Sequence, residues 1–299
     1  MAGNLVSVPG VRDMFDYASS VMKIDILKLC LSGPSQLLDM TINCQMAMLV
    51  TSLAVLEKLK LSHPEVIETC VATAGFSVGE YAALVFAGAL SFEEAVQVVK
   101  IRGEAMQLCS ESRPSGMMTV FLSSASNLNY GMKLAREWCF EREHIKDPVC
   151  EVANYLYPHC KTIGGDEKAL DFLQRNAREF NLRRSKRLAV SGAFHTRLMK
   201  PAKKVLEKAL SEVDIRHPGI TVISNVDAAP YTEPHVIRKK LVEHIYMPVE
   251  WEQSMHRLYQ REQGNLFPNT YEVGPGDTLR PILKMVNAKA HSQSFKADL

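Results

Sequence analysis

The sequence predicts an α/β protein in which a smaller, ferredoxin-like α+β domain interrupts a larger α/β one. Two observations carry this. Short apolar runs ended by glycine alternate with helix-length stretches in the first and last thirds of the chain. Between about 116 and 190 the order becomes strand, helix, strand, strand, helix, strand, the split βαβ pattern. A length of 299 residues suits about one or two domains. The predicted boundaries are 1–115 with 188–299 for the larger, discontinuous domain and 116–187 for the smaller.

Val11 to Leu31 reads as one helix, because Met14, Phe15, Ala18, Val21 and Met22 recur at helical spacing. Cys44 to Leu59 is a second, rich in Met, Ala and Leu, and its Met46 and Met48 are expected in the core. Thr69 to Ala74 is a short buried strand ended by glycine, and Gly79 to Phe86 restarts as a helix. Ser91 and Glu94 form a capping box for the helix that runs toward Ser110. The small domain then reads as strand 117–122, helix 128–143, strands 149–155 and 160–163, helix 168–180 and strand 187–190. Leu198 to Val213 is helical, with Pro201 in its early turns, where proline costs least. A strand at 219–224, helices at 236–246 and 250–262, and a strand at 270–273 follow. Gly274-Pro-Gly276 turns into a last helix, and the tail from Lys289 is expected to be loose.

Composition narrows the function classes. Thirty-five Lys and Arg against 33 Asp and Glu give +2, which argues against a dedicated nucleic-acid binder. With 46% hydrophobic residues there is ample material for a core. The seven cysteines include no C-x-x-C pair, which fits reduced thiols better than a zinc or thioredoxin motif. No apolar run suggests a membrane span, and no signal peptide or Arg-rich transit segment is expected at the start.

Gly75-Phe-Ser77-Val-Gly79 lies between an apolar strand and a helix, the context of a nucleophile elbow, and this makes the larger domain α/β-hydrolase-like. The glycines are expected to allow the sharp turn, and the Val78 N–H can face a developing oxyanion. An ordinary small-residue turn is the competing reading. A serine nucleophile needs a base. Of the nine histidines, His63, His217 and His235 adjoin prolines, His144, His159 and His291 sit in polar surroundings, and His244 and His256 lie on amphipathic helices. His195 follows a predicted strand at Leu188 to Val190, at a sheet edge, and either a structural or a catalytic role is open to it. Arg102, between Ile101 and Gly103, offers a planar fork for a carboxylate, or a solvated helix charge.

Together these residues carry a resemblance. Gly75-Phe-Ser77-Val-Gly-Glu-Tyr-Ala-Ala-Leu84, Ile101-Arg102-Gly-Glu-Ala-Met106-Gln107, Glu151-Val-Ala-Asn154-Tyr155, Gly192-Ala-Phe-His195 and Tyr271-Glu-Val-Gly-Pro-Gly276 resemble, in order, the motifs of malonyl-CoA:acyl carrier protein transacylases. The match runs from about Val11 to about Asn287, and Phe76 with Ser191-Gly-Ala-Phe-His195-Thr-Arg-Leu-Met199 is most similar to the animal mitochondrial branch. The resemblance implies transfer of malonyl from coenzyme A to the phosphopantetheine thiol of acyl carrier protein by a ping-pong route, in support of fatty acid synthesis. It implies Ser77 as nucleophile, His195 as proton carrier, and the main-chain carbonyl of His244 as the group that orients it. Arg102 would take the malonyl carboxylate, Met106 and Phe194 would line the pocket, and Asn154 would support it from the small domain. It implies malonyl-CoA as substrate, no bound cofactor or metal, no membrane or nucleic acid, and a mitochondrial setting, with a cytosolic short form as the alternative.

Two features depart from that family's pattern. Leu156 and Cys160 stand where a second Asn and a Gln are usual. The family's opening strand and Gly-Gln-Gly loop, which completes the oxyanion hole, have no counterpart, so the chain is expected to start at an internal methionine and to be less active than an extended form. Arg183, Arg184, Lys186, Arg187, Arg197, Lys200, Lys203 and Lys204 concentrate positive charge near the domain junction. They read as a solvated face or as a dock for acidic acyl carrier protein. A serine hydrolase or thioesterase is the second enzyme reading, with Asp147, Asp166 and Asp171 as its poor acid candidates. A weakly active homologue that binds acyl carrier protein is the third.

Overall fold

The computed structural model describes residues 3–297, so the expected start at Met1 lies outside the described residues. Helices α1 (Val11–Met22) and α2 (Ile26–Ser32) replace the single helix expected there. The break has a local cause. Lys23 adopts a left-handed conformation, φ 60°, and the Asp25 carboxylate then caps a new helix by accepting the Lys28 N–H at 2.8 Å. After the short α3 (Ser35–Leu38) comes α4 (Thr41–Ser62), the central helix of the large core. Its length and composition would also allow a membrane crossing, but most of it is buried inside the fold, Met46 and Leu49 completely. α5 (Pro64–Glu68) leads into strand β1 (Ala72–Ala74), then α6 (Gly79–Phe86) and α7 (Phe92–Glu111). The predicted capping box opens α7, with the Ser91 hydroxyl accepting the Glu94 N–H at 3.2 Å and Glu94 accepting the Ser91 N–H at 2.9 Å.

Next come β2 (Ser115–Phe121), α8 (Leu128–Arg142), β3 (Cys150–Tyr157), β4 (Cys160–Asp166), α9 (Glu167–Arg175) and β5 (Arg184–Arg187). These strands lie in the order β5-β2-β4-β3, all antiparallel, over a separate apolar cluster that includes Met118, Ile163, Leu170 and Phe180. A fifth strand from later in the chain, β7 (Val249–Glu250), pairs in parallel with β3. It stitches the two parts of the molecule together. The strand expected at Leu188–Val190 is not formed. Leu188 gives a last hydrogen bond to Met117 O at 2.9 Å, and the chain then leaves the sheet.

Beyond β5 the helix expected over 198–213 begins as a 3₁₀ turn (Arg197–Ala202), since Pro201 has no N–H to give to an α-helix. α10 (Lys203–Ser211) continues it. β6 (Thr221–Ile223) pairs in parallel with β1, Ala72 opposite Thr221. α11 (Pro234–Glu243), α12 (Trp251–Tyr259), β8 (Thr270–Glu272) and α13 (Leu279–Val286) follow. The tail is not loose. It forms α14 (Ala288–His291), with Ala290 fully buried, and β9 (Ser294–Lys296), which pairs with β8. None of the seven cysteines forms a disulfide.

Candidate active site

Between β1 and α6 the chain turns so tightly that it crosses itself. A Cβ on Gly75 would sit 1.9 Å from the Gly79 carbonyl oxygen, so glycine alone fits there. Gly79 itself faces open space, which corrects the expectation that both glycines make the turn. The turn forces Ser77 into the left-handed region, φ 51°, and lifts its hydroxyl out at the end of β1. The strain is held by Asn225, which follows β6. Its Oδ1 accepts the Ser77 N–H at 2.8 Å and its Nδ2 donates to Gly75 O at 2.7 Å. Val78 caps α6, so its N–H lies at the positive end of that helix, beside the serine.

His195 also has a left-handed backbone, φ 59°, fixed by its N–H donating to Ile245 O at 3.1 Å. Its Nε2 lies 2.9 Å from Ser77 Oγ, and its Nδ1 lies 2.7 Å from the main-chain carbonyl of His244. A carbonyl only accepts, so Nδ1 carries the proton and Nε2 presents a lone pair to the serine. Burial holds the imidazole well below its usual range. His244 and Arg102 push in the same direction, against the carbonyls of His244 and Met247. Among the described residues only His195 and His244 are buried histidines, which separates them from the other seven.

Arg102 is almost completely buried on α7. Its Nη1 donates to Gln45 Oε1, and its Nη2 reaches Ser77 Oγ at 3.2 Å. Nε has no hydrogen-bond partner, so the edge of the guanidinium nearest the serine has spare donor capacity. Burial lowers the Arg102 pKa, while Tyr81 and Glu80 raise it. α7 can carry Arg102 this close to α4 because Gly103 meets Ile42, where a Cβ would stand 2.9 Å from the Ile42 Cα. Met106, one turn on, is buried and accepts from Gln45 Nε2 at 3.5 Å through its sulfur.

Phe194 is half-buried beside His195 and packs toward Gly192 and the large core. Asn154 is buried on β3 opposite Val249 of β7, with an unpartnered Oδ1. The next residue, Glu250, donates to Asn225 O at 2.8 Å. The small sheet is thus bonded to the residue that braces the elbow. The structure therefore brings Ser77, Val78, His195, the His244 carbonyl and Arg102 to one point. Met106 stands behind it through Gln45, and Asn154 is tied to it through β7.

Sequence reasoning missed Gln45, Asn225 and the buried pair of Glu80 and Tyr231, in which the Tyr231 hydroxyl donates to the Glu80 carboxylate at 2.6 Å. A signal was present for Glu80, a carboxylate inside the apolar helix Gly79–Phe86. The basic cluster needs correction. Arg187 pairs with Glu167, and Arg197 holds Glu151 at 2.6 Å and Asp147 at 3.0 Å, so both charges already have carboxylate partners at the surface of the fold. Lys203 lies near Glu207, while Arg183, Arg184, Lys186 and Lys200 remain exposed. The aspartates of the hydrolase reading are engaged elsewhere: Asp147 with Arg197, Asp166 with Arg113, and Asp171 near Arg187. Among the described residues no cluster of three side chains suits a metal ion.

Residues 1–267 match the model of the acyl transferase domain family. The chain is 51% identical over 299 residues to the Homo sapiens mitochondrial malonyl-CoA-acyl carrier protein transacylase, covering all of this chain and 76% of that protein. The solved malonyl CoA-acyl carrier protein transacylase of Coxiella burnetii superposes with a TM-score of 0.84 at 29% identity, over 97% of this chain and 86% of that one. A further solved structure, the malonyl-transacylase of a type II polyketide synthase in complex with its acyl carrier protein, gives a TM-score of 0.83 at 27% identity, over 97% and 89%.

Proposed function

The chain belongs to the acyl transferase domain family, and we propose that it moves malonyl from malonyl-CoA to the phosphopantetheine thiol of acyl carrier protein, in support of fatty acid synthesis. One observation carries the substrate class. Arg102, buried and anchored by Gln45, reaches the hydroxyl of Ser77 at 3.2 Å. A cation at the nucleophile suits an acyl group that ends in a carboxylate and has no use for a plain fatty acyl chain.

The mechanism follows from the atoms. His195 Nε2 takes the proton of Ser77 Oγ as the oxygen attacks the thioester carbonyl. The carbonyl oxygen becomes an oxyanion facing the Val78 N–H, while Arg102 pairs with the malonyl carboxylate. Collapse breaks the C–S bond, and the coenzyme A thiolate leaves with the proton from His195. Malonyl is left as an ester on Ser77. The second half-reaction runs in reverse with the carrier-protein thiol as nucleophile. His195 gives up its proton readily, because burial disfavours the imidazolium. No step calls on a metal or a bound cofactor.

The larger domain, residues 1–115 and 188–299, supplies the dyad and the arginine in this reading, and the smaller ferredoxin-like domain, 116–187, supplies Asn154. Arg183, Arg184, Lys186 and Lys200 form the docking face for acidic acyl carrier protein, and Phe194 narrows the acyl pocket against a methyl branch. The Homo sapiens relative is named as mitochondrial, and the same setting is proposed here. Peptide mapping after incubation with malonyl-CoA tests the reading, and should find malonyl on Ser77.

A further inference from the structure

A main-chain carbonyl as the partner of His195 places no demand on the side chain at position 244. The structure gives that side chain a place of its own. The His244 ring is fully buried and stacks on the His195 ring, with centroids 5.0 Å apart and planes at 29°. Its Nδ1 lies 3.0 Å from Oε2 of Glu80, which is also fully buried. Glu80 stands in the first turn of α6, three residues after the nucleophile. Its other oxygen, Oε1, accepts the Tyr231 hydroxyl at 2.6 Å and the Asn225 N–H at 3.2 Å. Asn225 in turn holds the Ser77 N–H. One carboxylate therefore reaches the serine turn through Asn225 and the histidine loop through His244. Ser77 and His195 are 118 residues apart, and each sits in a strained left-handed backbone, so their relative position needs such a brace.

We infer that Glu80 and the His244 side chain form a positioning clamp that fixes the distance and ring angle between Ser77 Oγ and His195 Nε2. A buried carboxylate without donors is costly, and Glu80 Oε1 takes two, from Tyr231 and Asn225, while Oε2 faces His244 Nδ1, so the carboxylate is held in place. His244 Nδ1 and Glu80 Oε2 face each other at 3.0 Å without a formed hydrogen bond, and the His244 ring is the platform on which His195 lies. The clamp touches neither substrate nor reacting atoms. It acts by keeping the dyad in attacking geometry, where a misplacement of about 1 Å slows reaction about a hundredfold.

This inference rests on the malonyl-transfer reading, and the test separates the two. Glu80→Gln, His244→Gln and the double variant are compared with the unaltered chain for the rate of Ser77 acylation at saturating malonyl-CoA, for KM, and for thermal midpoint. Each single variant should lose about tenfold or more in rate, with KM within about twofold. The double variant should lose little more than either single, because one clamp is broken only once. Rates equal to the unaltered chain, a loss confined to KM, or multiplying losses in the double variant overturn the inference. An unaltered chain that takes no malonyl sinks the functional reading instead. If the variants do not fold, nitrogen-15 histidine spectra of the unaltered chain decide: His244 should carry a proton on Nδ1, and a bare Nδ1 overturns the clamp.

Discussion

Asn225 Oδ1 accepts the main-chain N–H of Ser77 at 2.8 Å, from a residue 148 positions away in the chain. The nucleophile turn is thus held from outside, by the loop after the neighbouring strand. Asn225→Ala would leave the Ser77 N–H and the Gly75 carbonyl without partners. Its cost should be roughly 2–4 kcal/mol of stability, for one buried and one partly buried group stripped of partners. Acylation by malonyl-CoA should slow as well. Chemical denaturation with parallel acylation rates checks both effects, and a variant of unchanged stability would show that Asn225 does not brace the turn.

The two glycines of the Gly75-Phe-Ser77-Val-Gly79 segment should behave differently. Gly75→Ala drives a methyl into the Gly79 carbonyl, and should cost more than about 4 kcal/mol or prevent folding. Gly79→Ala points into open space at the start of α6, and should change stability by less than about 1 kcal/mol. Thermal midpoints of the pair provide the comparison. Equal damage from both would contradict the crossing geometry.

Arg102→Ala should discriminate between acyl groups. Malonyl-CoA would bury a carboxylate with no bidentate partner, a loss of roughly 2–5 kcal/mol in kcat/KM. Acetyl-CoA carries no carboxylate and should lose much less. Competition between the two substrates measures the ratio, and equal losses would remove Arg102 from the acyl pocket.

The state of His195 sets a pH dependence. Burial holds the imidazole well below its usual range, so it stays neutral as pH falls through about 6.5. The acylation rate should therefore persist below that pH, and decline only at the lower folded value. Stability follows the opposite course. Below about 6.5 the unfolded chain binds a proton that the folded chain refuses, so this group lowers folding stability as pH falls and contributes nothing above it. A rate profile with a midpoint at or above 6.5 would be the contrary result.

The exposed basic face should separate the half-reactions. Reversing Arg184 and Lys186 to Glu should slow transfer to acyl carrier protein and weaken its salt dependence, while self-acylation by malonyl-CoA changes little. Arg197→Ala should differ in kind. It frees Glu151 and Asp147 and removes the Arg197 bond to Pro148 O, and should reduce stability before it affects docking. Parallel loss of both half-reactions in the Arg184 and Lys186 variant would argue against a docking role.

How much of this was legible in the sequence depended on whether a signal was local. α6 and α7 could be read because a glycine turn and a capping box mark their starts. Ser77 and Val78 lie in a short segment whose neighbours declare the context, whereas Arg102 reads from its neighbours also as a solvated helix charge and takes its role from the resemblance. The break at Lys23 escaped, since one left-handed residue leaves the apolar spacing of the helix intact. The ordered tail escaped because polar residues hide a strand that only β8 makes stable. Gln45, Asn225 and Tyr231 escaped for the same reason. Each is an unremarkable polar residue until folding brings it against a group 57 or more positions away. The basic cluster was read too broadly, because sequence spacing does not show that Arg187 and Arg197 already have carboxylate partners.

Intact-mass measurement of the unaltered chain and Ser77→Ala, first with malonyl-CoA and then with phosphopantetheine-bearing acyl carrier protein, tests malonyl transfer most directly. The unaltered chain should gain the mass of one malonyl group and lose it as the carrier protein gains the same mass. Ser77→Ala, folded to the same midpoint, should gain nothing. A malonyl adduct that survives in Ser77→Ala, or one that discharges to water at the same rate without carrier protein, would contradict transfer through a Ser77 ester.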